Sequence, residues 1–342
     1  MPKEKRFRSL DLQFLKFDNL LCYNVPMTDT KTCVVTGGAG FIGSNLVDSL
    51  LSFGYKVFAV DNLLTGREEN LDQAKKNPNF TFIRYDVTGE LPMLGPIDYL
   101  YHLASPASVP DYQNYPEETA LVNTVGTRGL LKVAKAYGAR FLFTSTSEVY
   151  GDPKEHPQKE TYWGNVNPNG VRACYDEGKR YGEMMTMLYH RKYGVDTRIV
   201  RIFNTYGPRM RKDDGRVVSN FINQALKGAP LMVYGEGAQT RSFCFISDLV
   251  AGIIALMESE KAAGEVVNLG NPEEYTMIDL AQKIKNMTGS SSEIQKAPLP
   301  ADDPTRRCPD ISKAKMLLGW EPKVSVSEGL AATIEYYKSS NA

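Results

Sequence analysis

The sequence predicts an α/β protein, a doubly wound parallel sheet carrying a smaller α/β substrate-binding domain. Three observations carry that reading. Short β-branched runs alternate with amphipathic stretches from Lys31 onward, and a glycine-rich turn joins the first such run to the first helix. After about residue 205 the alternation gives way to segments punctuated by Gly and Pro. The 342 residues are more than one typical domain needs and suit a large domain with a smaller one fused to it.

In chain order, KTCVVT reads as a strand, FIGSNLVDSLLSFG as a helix, and KVFAV, FTFIRYD and YLYHLAS as strands. A helical run then ends at Tyr137 and FLFTSTS forms the next strand. These strands are nearly uninterrupted apolar runs, as expected where helices cover both faces of a sheet. Beyond TRIVRIFNTYGP come GPRMRKDDGR, KGAPLMVYGEG, GNPEE and APLPADDPTRRCPD, which build the second domain with helices between them. SDLVAGIIALMES reads as a helix returning to the first domain, with Ser247 or Asp248 as its N-cap. The expected division is therefore 28–205 with 242–270 for the first domain, and 206–241 with 271–342 for the second. Residues 1–27 form an N-terminal extension, expected to be poorly ordered, to which the sequence assigns no function.

Lysine and arginine together number 40, as do aspartate and glutamate, so the balance favours neither nucleic acid nor an anionic membrane as partner. Any anion site must be local. The five cysteines, Cys22, Cys33, Cys174, Cys244 and Cys308, are scattered and contain no CxxC pair, which argues against a disulfide framework and against a metal centre. A reducing compartment, the cytoplasm, is expected. Lys16, Asp18 and Asn19 interrupt the apolar residues near the start, and no stretch is long and apolar enough to span a bilayer.

Directly after the first strand, Gly37, Gly40 and Gly43 form a GxxGxxG that enters a helix through Phe41 and Ile42. The first two glycines allow a tight turn and close approach to a pyrophosphate, the third lets helix and strand pack closely, and the helix N-terminus offers free N–H groups. Asp61 ends the second strand, where a carboxylate accepts hydrogen bonds from a ribose and repels an additional phosphate, so the cofactor is read as NAD. Asn62, Thr65 and Gly66 follow it. Asp86 and Val87, then Leu103, Ala104 and Ser105, stand at further strand ends, where ligands bind in such sheets. Arg67 is the one nearby cation able to soften a preference for NAD.

Tyr175 and Lys179 stand at i and i+4, on one face of a helix. An ammonium beside a phenol lowers its pKa, so that tyrosinate can take a proton from a sugar hydroxyl. Such a pair alone is usually surface decoration, but here it follows a glycine-rich turn and the strand end TSTSE. That strand end delivers Thr146, whose hydroxyl can share the substrate's hydrogen bonds, with Ser147 and the Glu148 carboxylate beside it.

Tyr-x-x-x-Lys together with TGGAGFIG, TSTSEVYGDP, RIFNTYGPRM, DGRVVSNFI, QTRSF and NLGNPEE resembles the extended short-chain dehydrogenases/reductases, with their Rossmann-type sheet. Within them the chain is most similar to the UDP-glucuronate decarboxylases (UDP-xylose synthases), from about Lys31 to about Tyr337. The resemblance implies a Thr146/Tyr175/Lys179 triad, Glu148 as an acid–base or positioning group, and NAD recycled within each turnover. It further implies nucleotide-sugar contacts from Asn204, Arg216, Tyr234, Arg241 and Arg307, and a homodimer formed by helices near Thr127–Tyr137 and Tyr175–Tyr193. Guanidinium forks match a diphosphate, which suits the arginines. Two departures stand out: Leu121 occupies a position where these decarboxylases carry lysine, and SVPDYQNYPEE adds negative charge to a loop that usually reads SPPNY.

The reaction implied is decarboxylation of UDP-glucuronate through a 4-keto intermediate. Enzymes resembling the 4,6-dehydratases carry aspartate where Ser147 stands, to protonate the departing hydroxyl, and serine is too weak an acid for that. The competing readings are a nucleotide-hexose 4,6-dehydratase or 4-epimerase and, from another class, a non-catalytic NAD-binding regulator on the same fold.

Overall fold

The computed structural model describes residues 30–90, 94–298 and 306–339. The extension 1–27 and Cys22 lie outside the described residues. A seven-stranded parallel sheet organises the chain, built from β1 (Thr32–Thr36), β2 (Lys56–Asp61), β3 (Phe80–Arg84), β4 (Tyr99–His102), β5 (Arg140–Thr146), β6 (Thr197–Ile202) and β7 (Glu265–Leu269). Across the sheet the order is β7-β6-β5-β4-β1-β2-β3. β1 pairs with β2 on one side and β4 on the other, Thr36 standing opposite both Val60 and His102. There the succession of strands reverses, the switch point at which doubly wound sheets open a crevice.

Alternation along each strand sends side chains to two different cores. From β1, Cys33 and Val35 join Leu46, Leu50, Ile253 and Leu256 on one face, while Val34 joins Leu130, Leu131 and Tyr189 on the other. From β5, Leu142 faces the first core, and Phe141 and Phe143 face the second. Double burial is why the middles of these strands are mostly apolar, each fully buried aliphatic side chain contributing roughly 1.5–3 kcal/mol.

A third core lies between the helices Val217–Leu226, Met277–Thr288 and Val326–Ser339, with Phe221, Leu280 and Leu330 at its centre. Small sheets border it: Leu231–Tyr234 pairs with Ile294–Ala297, and Thr240–Ser242 runs between Glu274–Thr276 and Arg306–Arg307.

The returning helix spans Ile246–Glu258 and begins after Phe245, whose side chain makes no capping bond. Ser247 and Asp248 therefore lie inside the first turn, and neither is the N-cap expected from the sequence. The Asp248 carboxylate is engaged elsewhere: it accepts from the backbone N–H groups of Lys323 at 3.0 Å and Val324 at 2.8 Å. Trp320 Nε1 donates to the Asp248 carbonyl at 2.9 Å. Ile311, Ala314 and Trp320 pack in the first core, so the chain re-enters the large body after residue 271.

Candidate active site

One cleft of about 760 Å³ runs along the C-terminal ends of the parallel strands and under the smaller body. Every residue that the sequence nominated for cofactor, catalysis or substrate lines it. The cleft has two chemically distinct ends, one formed by the glycine loop and one by arginines.

At the glycine-loop end, Gly37 has φ +69, and a Cβ there would lie 2.8 Å from the backbone nitrogen of Ala104. A Cβ on Gly43 would lie 2.0 Å from the Gly37 carbonyl oxygen. Only glycine fits either place. Gly40 caps the helix Phe41–Ser52 in an extended conformation without a side-chain bond, so the first-turn N–H groups of Phe41, Ile42 and Gly43 have no partner in their own helix. Asp61 is buried and held at the end of β2: Oδ2 accepts from Ala39 N at 3.0 Å and Oδ1 from Leu63 N at 2.8 Å. Burial pushes its carboxyl up, against those two bonds. Asn62 donates to Asp86 at 2.9 Å, and Thr88 binds Asp86 through both its backbone N–H and its hydroxyl. Burial would raise the Asp86 carboxyl, but the three bonds hold it below the usual range. Thr65 and Gly66 border Asp61, while Val87, Leu103, Ala104 and Ser105 continue the wall across β3 and β4. Arg67 turns away to Asp213, 3.5 Å distant, and remains half exposed.

Between the two ends, the helix Ala173–Tyr193 carries the candidate catalytic residues Tyr175 and Lys179, both buried. Lys179 Nζ donates to the Thr144 carbonyl at 2.8 Å and lies 5.8 Å from the Tyr175 ring centroid. Desolvation pulls the ammonium down to about 7. Tyr175 is pushed up to about 12, chiefly by burial, and is opposed by a hydrogen bond with Thr146 and by the Arg216 charge. The lowering influence that the sequence assigned to Lys179 thus comes from Thr146 and Arg216, because Lys179 faces the Thr144 carbonyl and burial weakens its hold on its own proton. Tyr112 stacks on Tyr175 with ring centroids 5.2 Å apart, holding the phenol in plane.

Thr146 Oγ1 also accepts from the Glu148 backbone N–H at 3.2 Å, starting the single turn Ser147–Tyr150. The Glu148 carboxylate pairs with Arg172 through one oxygen and Arg307 through the other. Burial would raise Glu148, but the charges of Arg307, Arg172 and Arg241 outweigh it and hold the carboxyl below its ordinary range. Arg307 also donates to the Gly151 carbonyl at 3.0 Å and approaches Ser147 Oγ at 3.4 Å, leaving its buried Nε without a partner. Arg216 forms a two-bond fork with Asp214 at 2.5 and 2.8 Å. Asn204, exposed Tyr234 and Arg241 complete this end.

Sequence reading missed Arg172, Asp176 and Arg211. Arg172 immediately precedes the catalytic helix, a position that could have flagged it. Asp176 is buried beside Tyr175, with one oxygen unpartnered, and burial and the Glu148 charge push its carboxyl up. Arg211 pairs with Asp111 at 2.6 Å and donates to the Thr65 carbonyl at 3.2 Å. An acid of the unusual SVPDYQNYPEE loop is thereby neutralised. Leu121 is 40% exposed on the cleft wall, just before a π-helical turn over Val122–Gly126.

A family model described as GDP-mannose 4,6 dehydratase matches residues 34–333. UDP-glucuronic acid decarboxylase 1 of Arabidopsis thaliana is 56% identical over 306 residues, covering 90% of this chain and 69% of that protein. UDP-glucuronic acid decarboxylase 1 of Danio rerio is 51% identical over 336 residues, covering 98% of this chain and 79% of that protein. Among solved structures, UDP-glucuronic acid 4-epimerase from Bacillus cereus, in complex with UDP-glucuronic acid and NAD, is similar with a TM-score of 0.82 at 32% identity. That match covers 90% of this chain and 99% of the other. Identity at this level along nearly the whole sequence is inherited rather than convergent, and the chain belongs to the UDP-glucuronic acid decarboxylase family of extended short-chain dehydrogenases/reductases.

Proposed function

We propose that this protein decarboxylates UDP-glucuronate to UDP-xylose through a 4-keto intermediate. The observation that carries the reading is the pairing of Glu148 with Arg172 and Arg307 beside Ser147. A carboxylate held ionised and a serine hydroxyl cannot supply the strong general acid that loss of water from C6 requires. Carbon dioxide leaves without a proton, so decarboxylation needs no such acid.

The glycine-loop end fits NAD: a pyrophosphate against the open N–H groups after Gly40, and a ribose diol donating to Asp61. NAD, when bound, supplies the two-electron exchange that removes hydride from C4 of the sugar and later returns it. Tyr175 is assigned to the proton of the C4 hydroxyl, with Thr146 sharing that hydrogen bond and Lys179 holding the strand end through Thr144; the positive charge of bound NAD would lower the phenol that burial raises. The oxidised C4 makes the sugar a β-keto acid, whose carboxylate leaves as its electrons enter the C4 carbonyl; the enolate so formed takes a proton from water at C5, and the C4 oxygen recovers the proton held by Tyr175 as hydride returns. Arg241 is assigned to that carboxylate in place of a lysine at Leu121. Asn204, Arg216, Tyr234 and Arg307 are assigned to the nucleotide sugar. NAD binding falls to 28–205 with 242–270, and sugar binding mainly to 206–241 with 271–342.

We place the protein in the cytoplasm as a homodimer. The four described cysteines are free, which suits a reducing compartment. Among the described residues, no helix is long and apolar enough to cross a membrane. Exposed Val125, Met184, Leu188 and Tyr193 on and beside the helices Thr127–Tyr137 and Ala173–Tyr193 support pairing through these helices. Light scattering at micromolar concentration should return twice the 38.1 kDa chain mass, and a monomer would overturn the dimer.

Incubation with UDP-glucuronate in heavy water tests the reaction. The expected products are carbon dioxide and a pentose carrying deuterium at C5, with no conversion of UDP-glucose or dTDP-glucose. Formation of a 4-keto-6-deoxyhexose would sink the proposal.

A further inference from the structure

Three side chains used in none of these steps meet outside the cleft. His156 Nε2 and Glu274 Oε2 lie 2.9 Å apart, and these atoms and Cys308 Sγ all fall within 4.8 Å of one another. The side chains come from three separate segments: the loop after the turn Ser147–Tyr150, the first residue of the strand Glu274–Thr276, and the residue following Arg306–Arg307.

Backbone bonds fix all three in place. Gln158 N donates to the Cys308 carbonyl and Cys308 N donates to Gln158 Oε1, both at 2.9 Å, tying the His156 loop to Cys308. Glu274 stands opposite Ser242 in an antiparallel ladder, and its other oxygen accepts from Thr240 Oγ1 at 2.6 Å. That bond orients the carboxylate, as outer hydrogen bonds do for metal ligands. Cys308 is buried, whereas the side chains of His156 and Glu274 are 29% and 28% exposed, which leaves an approach from solvent.

We propose that His156, Glu274 and Cys308 form a binding site for a zinc-class divalent cation, with water as the fourth ligand. Imidazole, carboxylate and thiolate together suit a borderline-soft tetrahedral ion, whereas magnesium and calcium take oxygen ligands. Donor atoms around such an ion sit roughly 3.3–3.8 Å apart at ordinary zinc–ligand lengths. The His156–Glu274 pair must open slightly and Cys308 draw in, giving up its 3.4 Å contact with the Pro272 carbonyl. Metal binding deprotonates the thiol and replaces the direct His156–Glu274 bond.

The site would act on the cleft from behind. Cys308 follows Arg307, whose guanidinium holds Glu148 and the Gly151 carbonyl. A cation bound here links the strand that carries Arg307 to the loop beyond Gly151, so it steadies two walls of the arginine end without touching substrate.

Cobalt is the probe. Full-length protein, dialysed against chelator and holding NAD, is titrated with Co²⁺ while thiolate-to-cobalt charge-transfer absorption and tetrahedral d–d bands are followed. One Co²⁺ per chain with both signatures, displaced by one equivalent of Zn²⁺, is expected. Cys308→Ser should lose the charge-transfer band and His156→Ala should weaken Zn²⁺ at least tenfold, while Cys174→Ser keeps both properties. Absence of charge transfer in the wild type, or its survival in Cys308→Ser, overturns the site. X-ray absorption of the zinc-loaded wild type gives a result independent of how the variants fold. A first shell with one sulfur at about 2.3 Å is expected, and a shell of nitrogen and oxygen alone refutes the assignment.

Discussion

The two ends of the cleft are built from different materials. At the glycine-loop end, recognition rests on backbone: N–H groups of one helix turn, two glycines that tolerate no Cβ, and a carboxylate fixed by two backbone donors. At the other end it rests on long charged side chains from distant segments, and most of them are already paired. Glu148 binds Arg172 and Arg307, Arg216 binds Asp214, and Arg211 binds Asp111. The first end is a finished mould. The second holds its charges in ion pairs that the proposed nucleotide sugar would have to rearrange, so its affinity would be a difference between two sets of contacts.

The largest test lies where the two ends meet. Tyr175→Phe removes the proposed proton acceptor but keeps the ring stacked on Tyr112, so turnover should fall on the order of 10³-fold while NAD stays bound. Single-turnover kinetics and release of NAD on denaturation measure the two effects. Activity within tenfold of wild type would remove Tyr175 from the reaction.

Glu148→Gln probes the paired end. Replacing this largely buried carboxylate removes the negative charge that two guanidinium groups share, and urea unfolding should show a loss of about 3 kcal/mol. Because the folded carboxyl titrates below its ordinary 4.5, its contribution is present above that pH and fades as pH falls through the lower folded value. The gap between wild type and variant should therefore close only in acid. A gap that is constant with pH would assign the loss to packing instead.

The smallest effect is expected from Asp61→Ser, since the mould keeps its backbone donors. NAD affinity should drop about tenfold and discrimination against NADP should shrink, as read by a binding titration. An unchanged NAD/NADP ratio would mean that Asp61 only braces Ala39 and Leu63.

The same contrast explains what could be read in the sequence. The mould is local: GxxGxxG, Asp61 at a strand end and the Tyr175/Lys179 spacing each lie within one stretch, and the strands announce themselves because both faces are buried. Apart from Arg216 and Asp214, two residues apart, the paired end is assembled over long separations, where an arginine's partner leaves no mark in its neighbours. Arg307 was nominated only through resemblance, Arg172 not at all, and the Tyr112 stack joins residues from different elements. The N-cap at Ser247 or Asp248 failed for the same reason, since Asp248 serves Lys323 and Val324. His156, Glu274 and Cys308 show no metal spacing because three separate segments bring them together.

The late return of Ile311, Ala314 and Trp320 to the first core sets a limit on dissecting the molecule. A fragment ending at residue 205 would lack β7, leaving β6 as an open edge able to recruit strands from other chains. It would also bare the sheet face covered by the helix Ile246–Glu258 and by Trp320. The smaller body, cut free, would come as two peptides. Neither half is a transplantable module, and insertions, fusions or circular permutations should succeed only in surface loops that leave every crossing of the chain intact.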